Sequence, residues 1–310
     1  MPDPIPAVPS GRPSAARPDR AAGLLAGRVV LVTGAAGGLG AAYARGIAAA
    51  GGHVVAVDVN ADGLERLSGQ IAAADGRGSI RVADVADWAS AHDVVRDCLA
   101  EHGRLDGLVN NAGVFAMARA GAESEATVRR MLEVNVLGAI AWGDAAIAAM
   151  RIQGHGVLVN VTSGEQMGRA ETAVYGATKA AIATLTYAWA AELADVGIRV
   201  NAISPNAQTR MAEVLERFRG VPSGQNAGIA PEANVPLLLY LLSDLSAELT
   251  GQVLRSYGPE LMLTTHPALA EPVLRDTAWT PERIAEAVTA RLRPHLAPLG
   301  VRRARIEYLD

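Results

Sequence analysis

A phenol and an ammonium stand four residues apart in Tyr175-Gly176-Ala177-Thr178-Lys179. On a helix that spacing puts both side chains on one face. A free phenol ionises near pH ~10, too high for a base at neutral pH, and a neighbouring positive charge favours the phenolate. Such a pair is suited to passing a proton. Of the 28 lysine and arginine residues in the chain, only Lys179 is a lysine. An arginine fork is a poor substitute for a compact ammonium on a flexible stem, so this position reads as one that needs an amine. Upstream, Val157 to Val161 reads as a strand running into Thr162-Ser163. A hydroxyl at the carboxyl end of such a strand faces the ligand crevice of an α/β sheet and can hydrogen-bond a carbonyl or alcohol oxygen. Ser163 is the first choice for that role and Thr162 the alternative.

A second feature lies near the start of the chain, in Thr33-Gly34-Ala35-Ala36-Gly37-Gly38-Leu39-Gly40. A glycine-rich turn between a strand and a helix lets backbone N–H groups close on a pyrophosphate, with the helix N-terminus adding partial positive charge. Gly34, Gly38 and Gly40 give one spacing; Gly34, Gly37 and Gly40 give another, and the turn alone does not choose. Asp58 ends the next apolar run. In a dinucleotide-binding fold a carboxylate there accepts the adenosine ribose hydroxyls, and a 2′-phosphate would meet a like charge. The expected cofactor is therefore NAD.

These residues need a scaffold, and the chain alternates from residue 28 onward. Strand-like runs are expected at Arg28–Thr33, His53–Val59, Ile80–Ala83, Gly107–Asn110, Gly156–Val161, Ile198–Ile203 and Gln252–Ser256, separated by alanine-rich helical stretches that include Ala126–Met150 and Thr172–Asp195. Such alternation predicts an α/β fold, a Rossmann-type doubly wound parallel sheet in a single domain. The expected boundaries are a disordered, proline-rich tail over 1–24, the dinucleotide-binding catalytic domain over 25–263 and a C-terminal extension over 264–310. Within the extension, residues 259–279 read as a loop; Thr280-Pro281 then opens a helix with Ile284, Val288 and Leu292 as its apolar stripe, which would pack on the domain or on another subunit.

Composition removes several function classes. The 310 residues carry a formal charge of −4 and only 4% aromatics, two of them Phe115 and Phe218, which argues against a nucleic-acid partner. The single cysteine, Cys98, excludes a disulfide framework and fits a reducing, cytoplasmic setting. Six histidines form no metal-ligand spacing, and the longest apolar run, Val136 to Met150, contains Asp144, so neither a metal nor a membrane partner is expected.

Taken in order, Thr33–Gly40, Asp84-Val85, Asn110-Asn111-Ala112-Gly113, Asn135, Ser163 and Tyr175 with Lys179 resemble the short-chain dehydrogenase/reductase family over roughly residues 27 to 258. The resemblance implies an NAD-dependent oxidoreductase that moves hydride between cofactor and a secondary alcohol or ketone. It implies Tyr175 as acid/base, Lys179 as the group that lowers its pKa and holds the ribose, Ser163 as orienter of the substrate oxygen, and Asn135 as support for a water link from Lys179. Gly34, Gly38, Leu39, Gly40, Asp58, Asp84, Val85, Asn111, Ala112 and Gly113 would hold the cofactor, with Asp84 and Val85 flanking the adenine and Asn111 bracing the sheet. Pro205-Asn206-Ala207-Gln208-Thr209-Arg210-Met211 departs from the family's Pro-Gly and is similar to the variant in hydroxyacyl-CoA dehydrogenase members, where Thr209 would meet the nicotinamide carboxamide. A hydroxyacyl thioester or other lipid- or polyketide-like molecule then becomes a candidate substrate. Family members commonly pair the two long helices across a two-fold axis, implying a homodimer or homotetramer. Glu165 and Gln166 are candidates for the substrate pocket, and Arg302, Arg303 and Arg305 for a solvated tail or a CoA phosphate site. The alternative is a catalytically silent nucleotide-binding scaffold, which would be expected to lack the tyrosine, lysine or serine.

Overall fold

The computed structural model describes residues 23–207 and 229–296, together with Val214 and Phe218. Eight strands form one sheet in the order β3-β2-β1-β4-β5-β6-β7-β8. They are β1 Val29–Thr33, β2 His53–Asp58, β3 Arg77–Val82, β4 Gly107–Asn110, β5 Gly156–Val161, β6 Ile198–Ser204, β7 Val253–Tyr257 and β8 Glu260–Leu263. All pairs are parallel except β7 with β8. The helices are α1 Gly38–Ala49, α2 Ala61–Ala73, α3 Trp88–His102, α4 Glu125–Leu132, α5 Ala139–Gln153, α6 Ala173–Leu193, α7 Val235–Leu242 and α8 Pro281–Ala287.

The strands read as continuous apolar runs because both faces are covered. Val30 and Val32 of β1 point into a core shared with α1, α2 and α7, while Val29 and Leu31 point into one shared with α3, α5 and α6. β1 pairs with β2 on one side and β4 on the other. The chain reverses its direction of travel across the sheet there, and the crevice above the carboxyl ends of these strands is where such sheets bind ligands.

Four details depart from the sequence expectation. β3 starts at Arg77 rather than Ile80 and pairs with β2 along its whole length. It is an edge strand carrying Arg77, Ser79 and Arg81, so hydrogen bonding rather than apolar pattern defines it. Glu260–Leu263, expected as loop, is strand β8: Gly258 turns the chain with a φ of 54°, and Arg255 then pairs with Met262. Its identity comes from that antiparallel pairing. The helix expected at Ala126–Met150 is a longer run, Glu125–Gln153, in which a π-helical turn at Glu133–Gly138 joins α4 to α5. That run is long and apolar enough to cross a membrane by length and composition; half of its apolar window is buried, and Trp142 and Met150 are fully enclosed in the core. Lastly, Thr280 caps α8 as expected, its Oγ1 accepting from Arg283 N at 3.3 Å. Of its expected apolar stripe, Ile284 instead stays 48% exposed, while Val288 and Leu292 are half-buried.

Candidate active site

The glycine-rich turn leaves β1 and enters α1. Gly34 and Gly38 adopt left-handed φ values of 66° and 54°. A Cβ on Gly40 would stand 2.0 Å from the Gly34 carbonyl oxygen, whereas one on Gly37 would meet nothing. The geometry therefore selects Gly34, Gly38 and Gly40 as the spacing that requires glycine. Asn111, at the end of β4, donates from Nδ2 to the carbonyls of Thr33 at 3.0 Å and Gly34 at 3.1 Å, so it ties the turn to the centre of the sheet. Ala112 N donates to Thr33 Oγ1 at 3.1 Å. Leu39 is partly buried against the core beneath. Asp58 stands beside the turn with both oxygens fixed, Oδ2 accepting from Ala36 N and Oδ1 from Asn60 N, each at 2.9 Å.

Tyr175 and Lys179 share a face of α6 and are both buried. Ser163, between β5 and the 3-10 turn Gly164–Met167, bonds the Tyr175 hydroxyl. Its Oγ also accepts from Glu165 N at 3.3 Å. Thr162, the alternative hydroxyl, is buried and donates to the Ile203 carbonyl at 3.2 Å, inside the sheet. Lys179 Nζ donates to the Val161 carbonyl at 2.9 Å and lies 5.8 Å from the Tyr175 ring centroid. Burial pulls this amine down to about 8. Burial also dominates at Tyr175 and raises its phenol; the Ser163 hydrogen bond opposes that rise and the Glu165 charge adds to it. The phenol therefore sits above its ordinary value, with desolvation the largest influence on it.

Asn135 falls in the π-helical turn, a irregularity frequent at functional sites. Its Oδ1 accepts from Val114 N at 2.7 Å and its Nδ2 donates to Val114 O at 2.9 Å and Thr178 Oγ1 at 3.1 Å. Thr178 in turn donates to the Tyr175 carbonyl at 2.7 Å. A Cβ on Gly113 would sit 3.3 Å from Asn135 Oδ1 and 3.4 Å from Lys179 Nζ, so glycine there leaves room for both. Asp84 accepts from Ala86 N at 3.0 Å and from Arg130 at 3.2 Å, and Val85 packs on Gly138 at the end of the π-helical turn. Thr209 and the arginines at 302, 303 and 305 lie outside the described residues.

A short-chain dehydrogenase family model matches residues 28–219. The chain belongs to the short-chain dehydrogenase family. It is 34% identical to the hydroxyacyl-CoA dehydrogenase ChsB1 of Mycobacterium tuberculosis over 88% of this chain and 90% of that one. It is also 34% identical to the 3-oxoacyl-[acyl-carrier-protein] reductase FabG of Thermotoga maritima, over 74% and 96%. Among solved structures, a short chain dehydrogenase from Mycobacterium avium superimposes with a TM-score of 0.80 at 31% identity, covering 91% of this chain and all of that one. NAD+-bound xylitol dehydrogenase gives a TM-score of 0.69 at 28% identity over 76% and 99%. The chain is thus an oxidoreductase of this family.

Several of this short-chain dehydrogenase's site contacts had no local signal in the sequence. Phe115 meets the Tyr175 ring edge-on with centroids 4.8 Å apart, although 59 intervening residues separate them in the chain. Asn110, Asn160 and Thr186 form a buried chain of hydrogen bonds at 3.1 and 2.9 Å across β4, β5 and α6, which sets α6 against the sheet. Glu165 bonds Arg169 and Thr172, each at 3.0 Å. Arg255 reaches from β7 toward Gly164. The contacts of Phe115, of Asn110 with Asn160 and Thr186, and of Arg255 join segments that only the fold brings together.

Proposed function

We propose that the protein is an NAD(H)-dependent oxidoreductase acting on a secondary alcohol or ketone, with Ser163, Tyr175, Lys179 and Asn135 as its working set. The observation that carries this reading is the contact of the half-buried Ser163 hydroxyl with the buried Tyr175, with Lys179 on the same helix face and Asn135 linked through Thr178. The chain's own fit to a dinucleotide supports the cofactor: Gly34–Gly40 offers a turn with no room for a Cβ at Gly40, and Asp58 is held with unused lone pairs for ribose hydroxyls. Bound NAD(H) would supply or accept the hydride. Ser163 would hold the substrate oxygen, and Tyr175 would give it a proton in reduction or take one in oxidation. Lys179 would hold the ribose and keep positive charge near the phenol, while Asn135 would keep the water path beside Lys179 in place. A hydroxyacyl thioester is one candidate substrate class beside other lipid- or polyketide-like molecules, because ChsB1 is named for hydroxyacyl-CoA and its likeness extends over most of this chain. A panel of hydroxyacyl and simple secondary alcohols, followed through NADH absorbance, tests the reading; cofactor binding with no turnover on any of them would favour a silent scaffold instead.

NAD(H) should be preferred over NADP(H) by at least about tenfold, the effect of ~1.4 kcal/mol. The Asp58 carboxylate, fixed by two backbone N–H groups, would repel a 2′-phosphate. Arg66 lines a cavity of about 280 Å³ together with Ala36 and Gly37, so it is a side chain able to oppose that preference. Steady-state kcat/KM with both cofactors decides, and a preference for NADPH overturns the assignment.

The assembly follows from the same helices. Leu132 and Leu137, on the run that contains α4 and α5, keep 44% and 50% of their surface exposed. We expect a homodimer or homotetramer that buries this face and α6. Light scattering at micromolar concentration should exceed the 32.1 kDa of one chain; a monomer would refute it.

A further inference from the structure

Arg255 is a half-buried cation that the proposed chemistry does not use. It lies in β7 opposite Ser204, the last residue of β6. Its guanidinium crosses the carboxyl ends of the strands toward β5: a Cβ built on Gly164 would stand 2.5 Å from Nη1 and 3.2 Å from Nη2. Gly164 directly follows Ser163, so the guanidinium rests against the backbone next to the hydroxyl that bonds Tyr175.

Its partners do not satisfy it. Nη1 donates to Ser204 Oγ at 2.9 Å, and Cζ lies 5.8 Å from the Tyr257 ring centroid. Among the described residues no carboxylate forms an ion pair with it. Glu165, the carboxylate whose charge acts on it, has Oε1 engaged by Arg169 and Oε2 by Thr172. An arginine carries five N–H donors in a fixed plane, and a partly buried cation with unused donors is costly until an anion meets it. Burial draws this guanidinium downward from its ordinary value, with Glu165 opposing and Arg169 adding to the shift. On the same turn, Gln166 Oε1 is buried without a hydrogen-bond partner among the described residues.

We propose that Arg255 anchors a carboxylate of the substrate, so that the reacting alcohol or ketone is the far end of a small organic acid or of a chain bearing one. This rests on Ser163 and Tyr175 as the reacting site. The guanidinium plane matches a carboxylate bidentately, and it lies against Gly164, the residue that follows Ser163.

Binding to the NADH-loaded protein tests this without requiring turnover. The probes are cyclohexanecarboxylate and the isosteric cyclohexanecarboxamide, titrated calorimetrically. The wild type should bind the acid at least about tenfold more tightly than the amide, a difference of ~1.4 kcal/mol. Arg255→Gln keeps a donor for Ser204 and should abolish the difference; Arg255→Lys should retain part of it. Should the glutamine variant not fold, the lysine variant decides, through weaker acid binding at constant amide binding. Equal affinity of wild type for the two probes, no binding of the acid, or an undiminished preference in both variants would each overturn the proposal. Tyr175→Phe should keep the acid preference. That separates a failure of the anchor from a failure of the proton-transfer assignment, which would show in turnover alone.

Discussion

Tyr175→Phe should lower turnover by about 10²–10⁴, the range expected when a positioned acid/base is removed, while NADH binding stays near the wild-type value. The substitution deletes one oxygen and keeps the ring that Phe115 meets edge-on at 4.8 Å. It also removes the partner of the Ser163 hydroxyl, a hydrogen bond worth about 0.5–1.5 kcal/mol to stability, so the fold should survive. Three measurements separate the effects: turnover with a fixed substrate, NADH affinity by fluorescence titration, and the thermal midpoint. The assignment fails if the phenylalanine protein turns over within about tenfold of wild type. A parallel collapse of NADH affinity would instead point to a disturbed pocket.

Lys179→Arg keeps the formal charge and should still lose most of the activity. The space is set for an ammonium: Lys179 is only 4% exposed, Nζ is held by the Val161 carbonyl at 2.9 Å, and the Gly113 backbone closes the other side. A planar guanidinium is larger and presents its donors in a fork. Overpacking such a site costs about 1–3 kcal/mol and would displace the cation from the phenol. The pH profile distinguishes charge from position. Burial brings the lysine amine to about 8, so its charge is present below that pH and lost above it. Arginine stays charged throughout. Were charge alone sufficient, the variant would match the wild type below pH ~8 and exceed it above. With position required, the variant is slow at every pH and the kinetic pKa of the phenol rises, since its supporting charge has moved. Circular dichroism confirms that the comparison is made on folded protein, and wild-type rates in Lys179→Arg would show that the solitary lysine is an accident of composition.

What the amino-acid order determines by itself is local. Tyr175 and Lys179 share a helix face because four residues make about one turn, and no distant contact is needed for that. The alternation of apolar runs with alanine-rich stretches dictates a covered parallel sheet, and the strands duly appear as β1, β2, β4, β5, β6 and β7 within a residue or two of their expected ends. Glycine at 34 and 40 is legible for the same reason, since a tight turn into a helix tolerates little else. The choice between Gly37 and Gly38 was not legible, because it depends on φ and on how closely Gly34 and Asn111 approach Gly40.

Tertiary structure decided the rest. β3 begins early and β8 exists because edge strands are made by hydrogen bonds to a neighbour, and Arg77 or Glu260 carries no apolar signal of that. Of the adjacent hydroxyls, Ser163 bonds Tyr175 while Thr162 turns to Ile203. Period-two alternation sends neighbouring side chains to opposite faces, but only the position of α6 says which face holds the tyrosine. Phe115 and Arg255 reach the same region from β4's end and from β7. Their roles come from long-range packing. A linear spacing records which residues share a turn or a strand face; it carries no record of which loops a sheet will bring to one edge, because that depends on strand order and on the summed burial of many side chains.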